Sequence, residues 1–94
     1  MPIDYARMSK AHPKQKAALT RAMNAWKQAR LNLTLHASFD TRPVDRAAEH
    51  VEHVVKAAIV EWNEIGAWPD DWSRWQVALN DTRHFRDFID LRDL

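Results

Sequence analysis

The chain has 94 residues, one glycine, no cysteine and five tryptophans, and its 14 Lys/Arg almost balance 13 Asp/Glu for a net charge of +1. A chain of this length is one domain with a small core, and an apolar share of 46% at so low a net charge is neither a disordered tail nor a polycation. The missing thiols exclude disulfides, thiolate zinc sites and cysteine nucleophiles; the lone Gly66 excludes a P-loop, a GxGxxG dinucleotide turn and a GxSxG elbow.

From Met1 to Arg7 there is no apolar stretch of the kind a secretory signal needs, and no run in the chain approaches the ~18 apolar residues of a membrane span. A cytoplasmic protein without a membrane partner is expected. Residues 1–94 read as one helical domain in which residues 1–12 form an arm free to flex. The first strong helix starts at Pro13, because proline has no N–H to leave orphaned in a first turn, and Ser9 offers a cap one turn earlier. No breaker interrupts Lys14 to Arg30. At about 100° per residue, Ala18, Leu19, Ala22, Met23, Trp26, Ala29 and Leu33 share one face. Lys14 and Arg21 flank it on one side, and Lys16, Lys27 and Arg30 on the other.

Charge is unevenly spread. Residues 1–30 carry seven basic side chains against Asp4, whereas residues 61–94 carry four against eight acids. Such a gradient marks either a nucleic-acid-facing end or a basic helix packed beside an acidic one. For nucleic acid the candidate contacts are Lys10, Lys14 and Arg21, which share an edge able to meet phosphates, with Lys27 and Arg30 on the opposite flank. No aromatic residue interleaves that edge in a stacking pattern, which argues against single-strand binding.

Leu31 to Phe39 alternates apolar and polar residues, which reads as a strand by its period of two. No other segment could pair with it, so the expectation is a continued helix followed by a loop. The alternative is a ribbon formed with a second copy, from which Arg30, Asn32, Thr34 and His36 would project toward a major groove. The long helix that follows fits the ribbon-helix-helix family poorly.

Asp40-Thr41-Arg42-Pro43 is a helix start, with Asp40 or Thr41 as cap and Pro43 in the first turn. In the next 22 residues Val44, Ala48, Val51, Val55, Ala58, Ile59, Trp62 and Ile65 line one face, opposite Asp45, Glu49, Glu52, Lys56 and Asn63. Gly66 stands where a left-handed C′ residue is wanted. A third helix is expected within Trp68 to Leu79: Pro69, Asp70 and Asp71 suit its positive end, Trp72, Trp75 and Leu79 share a face, and Trp68 acts as a staple. The apolar phase then shifts to Phe85, Phe88 and Ile89, so a break near Asn80-Asp81-Thr82 and a short fourth helix from Arg83 to Arg92 complete an all-α fold, a small three-helix bundle with a short C-terminal helix.

Candidate chemistry is sparse. His50 and His53 are three apart on the second helix, a weak two-ligand metal edge that needs His36 or His84 as a third ligand; both read as solvated. Ser9, Ser38 and Ser73 lie in no strained turn and beside no histidine in a recognised order. Asp70 and Asp71 read as helix-start acids, Asp70 reaching Arg74 four residues on. No catalysis, metal or cofactor is expected. Trp62, Trp68, Trp72 and Trp75 crowd into fourteen positions. They read first as a hydrophobic corner where helix two turns into helix three, and second as a partner-binding edge of Trp68, Trp72, Arg74 and Trp75, since tryptophan and arginine are enriched in interface hot spots. Val60 and Val77, on otherwise polar faces, add weak support for a further contact.

The segment Ile65 to Asp81, with its W-P-D-D-W-S-R-W-Q-V-A-L-N-D core, resembles a segment of small uncharacterised proteins of actinobacteria and their phages. That resemblance covers about a fifth of the chain and implies provenance and a three-helix architecture; no activity or ligand comes with it. The resulting expectation is a non-catalytic interaction protein, encoded by an actinobacterium or phage and binding a host or phage protein. The alternative is a small DNA-binding protein using the basic first helix, and a homodimer is a further possibility.

Overall fold

In the computed structural model, which describes residues 2–37, 39–83 and 87–94, the chain is all-α. Helix α1 spans Tyr5–Leu35, α2 Arg42–Ile65 and α3 Ser73–Thr82, and a single 3₁₀ turn covers Leu91–Asp93. No strand occurs among the described residues, so the ribbon alternative for Leu31 to Phe39 gives way to the continued helix: α1 runs to Leu35 and closes through His36 N donating to Asn32 O and Ala37 N to Thr34 O.

The start of α1 departs from the expectation. Residues 5–12, expected as an arm, are its first two turns. Asp4 is the cap, its Oδ1 accepting from Arg7 N at 3.0 Å, and Asp4 N donates to Ile65 O at 3.0 Å, which ties the N-terminus to the end of α2. Pro13 therefore lies inside the helix, where it cannot donate to the Ser9 carbonyl. Docking outweighs that defect: Ala11 and Gln15 are buried on either side of it. They extend the Leu19, Ala22, Trp26 stripe backward at helical spacing.

At about 1.5 Å per residue α1 is roughly 46 Å long and α2 roughly 36 Å, against roughly 15 Å for α3. The first two helices form a long antiparallel hairpin, and α3 roofs one end of one side. Along α2 the apolar stripe lies where the sequence places it, with Val51, Val55 and Trp62 wholly buried. Pro43 stands in the first turn and Gly66 caps the C-terminus at φ 93°. Asp40 Oδ1 accepts from Arg42 N at 3.1 Å, while Thr41 Oγ1 donates to Asp45 Oδ2 at 3.1 Å.

The expected fourth helix is replaced. Residues 87–90 have no helical turn and only Leu91–Asp93 form one 3₁₀ turn; His84, Phe85 and Arg86 lie outside the described residues, as does Ser38. The cause is in α3. Asn80 Nδ2 donates to Ile89 O, and Asn80 Oδ1 accepts from Ile89 N, both at 2.8 Å. Gln76 Oε1 accepts from Leu91 N at 3.2 Å. Two side chains thus satisfy the backbone groups that a helix would have paired internally, and the tail is held extended with Leu91 sealed into the core.

Candidate interaction surface

The tryptophan corner is an internal structure. Trp62 and Trp75 are wholly buried and meet edge to face at 5.1 Å. Trp68 lies 5.2 Å from Trp62 and 5.4 Å from Trp72, and its Nε1 donates to Asn63 Oδ1 at 3.1 Å. The Arg92 guanidinium lies 5.8 Å from the Trp72 ring, so the C-terminal turn partly covers that indole. Of the expected edge of Trp68, Trp72, Arg74 and Trp75, only Arg74 is exposed; Trp68 and Trp72 are half-buried and Trp75 is inaccessible. With so few large side chains to fill a core, the rings are consumed by packing.

Helix α1 is knitted to this corner by polar groups that the sequence reading missed. Gln15 is buried, accepts from Trp62 Nε1 at 2.8 Å and donates to Glu61 Oε2 at 3.2 Å. His12 sets its ring 5.6 Å from Trp75 and its Nε2 2.9 Å from Asp71 Oδ1, while Lys16 Nζ is 3.1 Å from Asp71 Oδ2. Burial pushes the Asp71 carboxyl up, but the Lys16 hydrogen bond and the charges of His12 and Lys16 outweigh it and hold the group below its ordinary value. Asp71 is thus paired with α1, and no ion pair joins Asp70 to Arg74 among the described residues. The overlooked signal was phase: Gln15 sits four residues before Leu19, inside the apolar stripe.

The basic residues divide by side. Lys10, Lys14, Arg21, Lys27 and Arg30 are all exposed on α1. The first three share one edge, with Lys27 and Arg30 roughly 120–180° round the helix from Lys14 and Arg21. The Arg30 guanidinium lies 4.7 Å from the Trp26 ring, a cation–π contact that ties it to its own helix. The five do not form one continuous phosphate-binding strip.

A wide concavity lies on the side of the hairpin opposite α3. His12, Lys16 and Leu19 turn toward α3 and its approach, but Ala11, Lys14 and Ala18 turn the other way and face Val54, Ala57 and Ala58 of α2 across an open trench of about 630 Å³. Apart from the buried Gln15, the floor is made of side chains that end at or near Cβ. At its rim Arg7 is engaged, with Nε 3.6 Å from Glu61 and Nη2 2.6 Å from Glu64, and Glu64's hydrogen bond raises its pKa further. Lys10 and Lys14 make no ion pair among the described residues. A second, smaller hollow of about 320 Å³ between α1 and α3 carries Arg74 and Val77, and Val77 and Val60 are both exposed on polar faces.

Apolar side chains also stand in solvent at the turn between α1 and α2: Leu31, Leu35 at 67% exposure and Phe39 at 99%. His50 and His53 are exposed on α2, and the described residues bring no third ligand to them. Among the described residues no helix is long and apolar enough to cross a membrane. No family model, no curated protein and no solved structure matches the chain.

Proposed function

We propose that this small three-helix bundle is a non-catalytic interaction module that binds a protein partner through the side of the α1/α2 hairpin that α3 leaves uncovered. The observation that carries the reading is the trench, an apolar floor of Ala11, Ala18, Val54, Ala57 and Ala58 beside exposed lysines. An apolar concavity with a polar rim is the usual anatomy of a binding site. If the W-P-D-D-W resemblance holds, the partner is a host or phage protein in an actinobacterial cell.

An immobilised chain should retain a protein from nuclease-treated bacterial lysate, and Ala57→Arg, at an exposed position of the trench, should release it. Retention of nucleic acid alone, or of a protein indifferent to Ala57→Arg, overturns the reading.

The edge formed by Lys10, Lys14 and Arg21 favours a second reading, a small DNA-binding protein using the basic first helix. That reading requires affinity for random duplex DNA that falls steeply with added salt, and a flat salt dependence removes it.

A further inference from the structure

We propose that the trench receives one amphipathic helix of a protein partner, its apolar stripe seated on the alanine floor and its acidic flank against Lys10 and Lys14. This rests on the interaction-module reading and names the partner's chemistry.

Three features of the site converge on that occupant. The first is shape. On the opposite side of the hairpin α3 packs against the same two helices, and the trench offers an equivalent seat. Because Ala11, Ala18, Ala57 and Ala58 end at Cβ, an incoming helix can approach within the 8–10 Å usual for packed helices. The second is length. The lining of the trench runs along α1 from Asp4 to Ala18, about 21 Å at 1.5 Å per residue, or some four turns. The third is charge. Arg7 is held by Glu61 and Glu64 of the α2 side, and Asp71 draws Lys16 to the other side. Lys10 and Lys14, which make no ion pair among the described residues, give the α1 wall of the trench a basic edge although Asp4 stands at its end. Their spacing of four residues presents two cations on one edge, which suits carboxylates at the same spacing on a partner helix.

A second copy of the chain is a poor occupant. Two-fold pairing through the same surface would oppose one concavity to another and leave both alanine floors unfilled. Nor does the chain expose a suitable helix: the outward side of α2 carries Arg42, Arg46, Glu49 and His53 with Val60 alone, that of α3 offers only Val77, and α1, where Leu31 and Leu35 are exposed, has no acidic residue to set against Lys10 and Lys14. Duplex DNA would leave the alanine floor unused, since phosphates seek donors and cations.

The test uses the full chain, isotopically labelled, and a synthetic helical peptide of about 16 residues, long enough to span the trench at 1.5 Å per residue. The peptide carries leucines at i, i+3, i+4 and i+7 and glutamates on the flank, and a control carries lysines in place of the glutamates. The glutamate peptide should bind and shift the amide resonances of Ala11, Ala18, Ala57 and Ala58, with the lysine peptide much weaker. Combining Lys10→Glu with Lys14→Glu, both at exposed positions, should weaken the glutamate peptide about tenfold and improve the lysine peptide. Equal binding of both peptides, no binding, shifts confined to Leu31, Leu35 and Phe39, or displacement of the peptide by duplex DNA would each overturn the assignment. Should Ala57→Arg release a lysate protein while the double lysine reversal does not, the interaction role survives and the acidic helix is excluded.

Discussion

At one end of the α1/α2 hairpin the chain leaves α2 through Gly66 beneath α3 and a stack of indoles; at the other it turns at Ala37 with Leu35 and Phe39 standing in solvent. The same two helices build both ends, so the contrast comes from what is added. Near Gly66 a third helix, the docked N-terminus and the Gln15, His12 and Asp71 contacts surround the pair. Near Ala37, beyond the point where the end of α3 reaches Asp45, the described residues put only Trp26, Leu33 and Val44 between the two helices. Stability is therefore concentrated at one end.

The sharpest way to break this comparison is to truncate at each end. Trp62→Ala or Trp75→Ala removes a wholly buried ring and should cost about 3–5 kcal/mol, a large share of the stability of so small a domain. Leu35→Ala and Phe39→Ala should stay within about 0.5 kcal/mol of the parent. Urea denaturation of the four variants decides the matter, and similar losses at both ends would refute the uneven distribution.

Gln15→Ala probes how the corner is held to α1. It leaves the buried Trp62 N–H without the acceptor it has at 2.8 Å, for which about 1–3 kcal/mol is expected. In a Trp62→Phe background, which has no ring N–H to satisfy, the cost of Gln15→Ala should shrink; if it is unchanged there, the hydrogen bond is not the reason Gln15 sits there.

Gly66→Ala tests the backbone at the same end. A Cβ there would lie 3.8 Å from Pro2 O, ordinary contact, so only the positive φ of 93° opposes the substitution. The left-handed penalty is roughly 1–2 kcal/mol, and alanine's lower unfolded-state entropy returns 0.4–1, leaving a net loss of about 1 kcal/mol. An unchanged melting temperature would mean that the cap conformation relaxes freely.

Asp71 gives the corner a dependence on acid. Its carboxyl is held below the ordinary value near 4, so its contribution is complete above that pH and is lost as the pH falls through the folded-state value. For a pair this exposed at most about 1 kcal/mol is expected. The difference in stability between the parent and Asp71→Asn should close as the pH falls below about 4. A gap that persists into acid would show that Asp71 acts through packing.

Much of the contrast is readable from residue order, but unevenly. Pro43, the apolar stripe from Val44 to Ile65 and Gly66 specify α2 almost completely, because caps and periodicity there agree. For α1 the local signals conflict: Pro13 is a strong start signal, and only tertiary docking, through Asp4 to Ile65 and Gln15 to Trp62, carries the helix past it. The tail fails as a helix for a similar reason, since Asn80 and Gln76 capture Ile89 and Leu91 across nine and fifteen residues. Of the proposed site, the shared edge of Lys10 and Lys14 is legible at 100° per residue. That Val54, Ala57 and Ala58 face them is not, because it depends on which side of the hairpin α3 chooses.

The smallest effect lies at the open end and carries the opposite sign. Ala37 adopts φ 46°, the one described non-glycine residue with positive φ, at the step where α1 closes. That φ of 46° lies beside the left-handed region open to L residues, unlike the 93° of Gly66. Ala37→Gly therefore removes a penalty at the lower end of roughly 1–2 kcal/mol, while glycine's greater freedom in the unfolded chain takes back about 0.4–1, so a net gain of at most about 0.5 kcal/mol should appear. On a chain of this size that is a rise of at most roughly 2–4 °C in Tm. Glycine therefore weakens the closed end when removed and strengthens the open end when introduced. A fall in Tm for Ala37→Gly would mean that the alanine methyl makes a contact worth more than its backbone strain, and that the open end is better packed than the exposure of Leu35 and Phe39 implies.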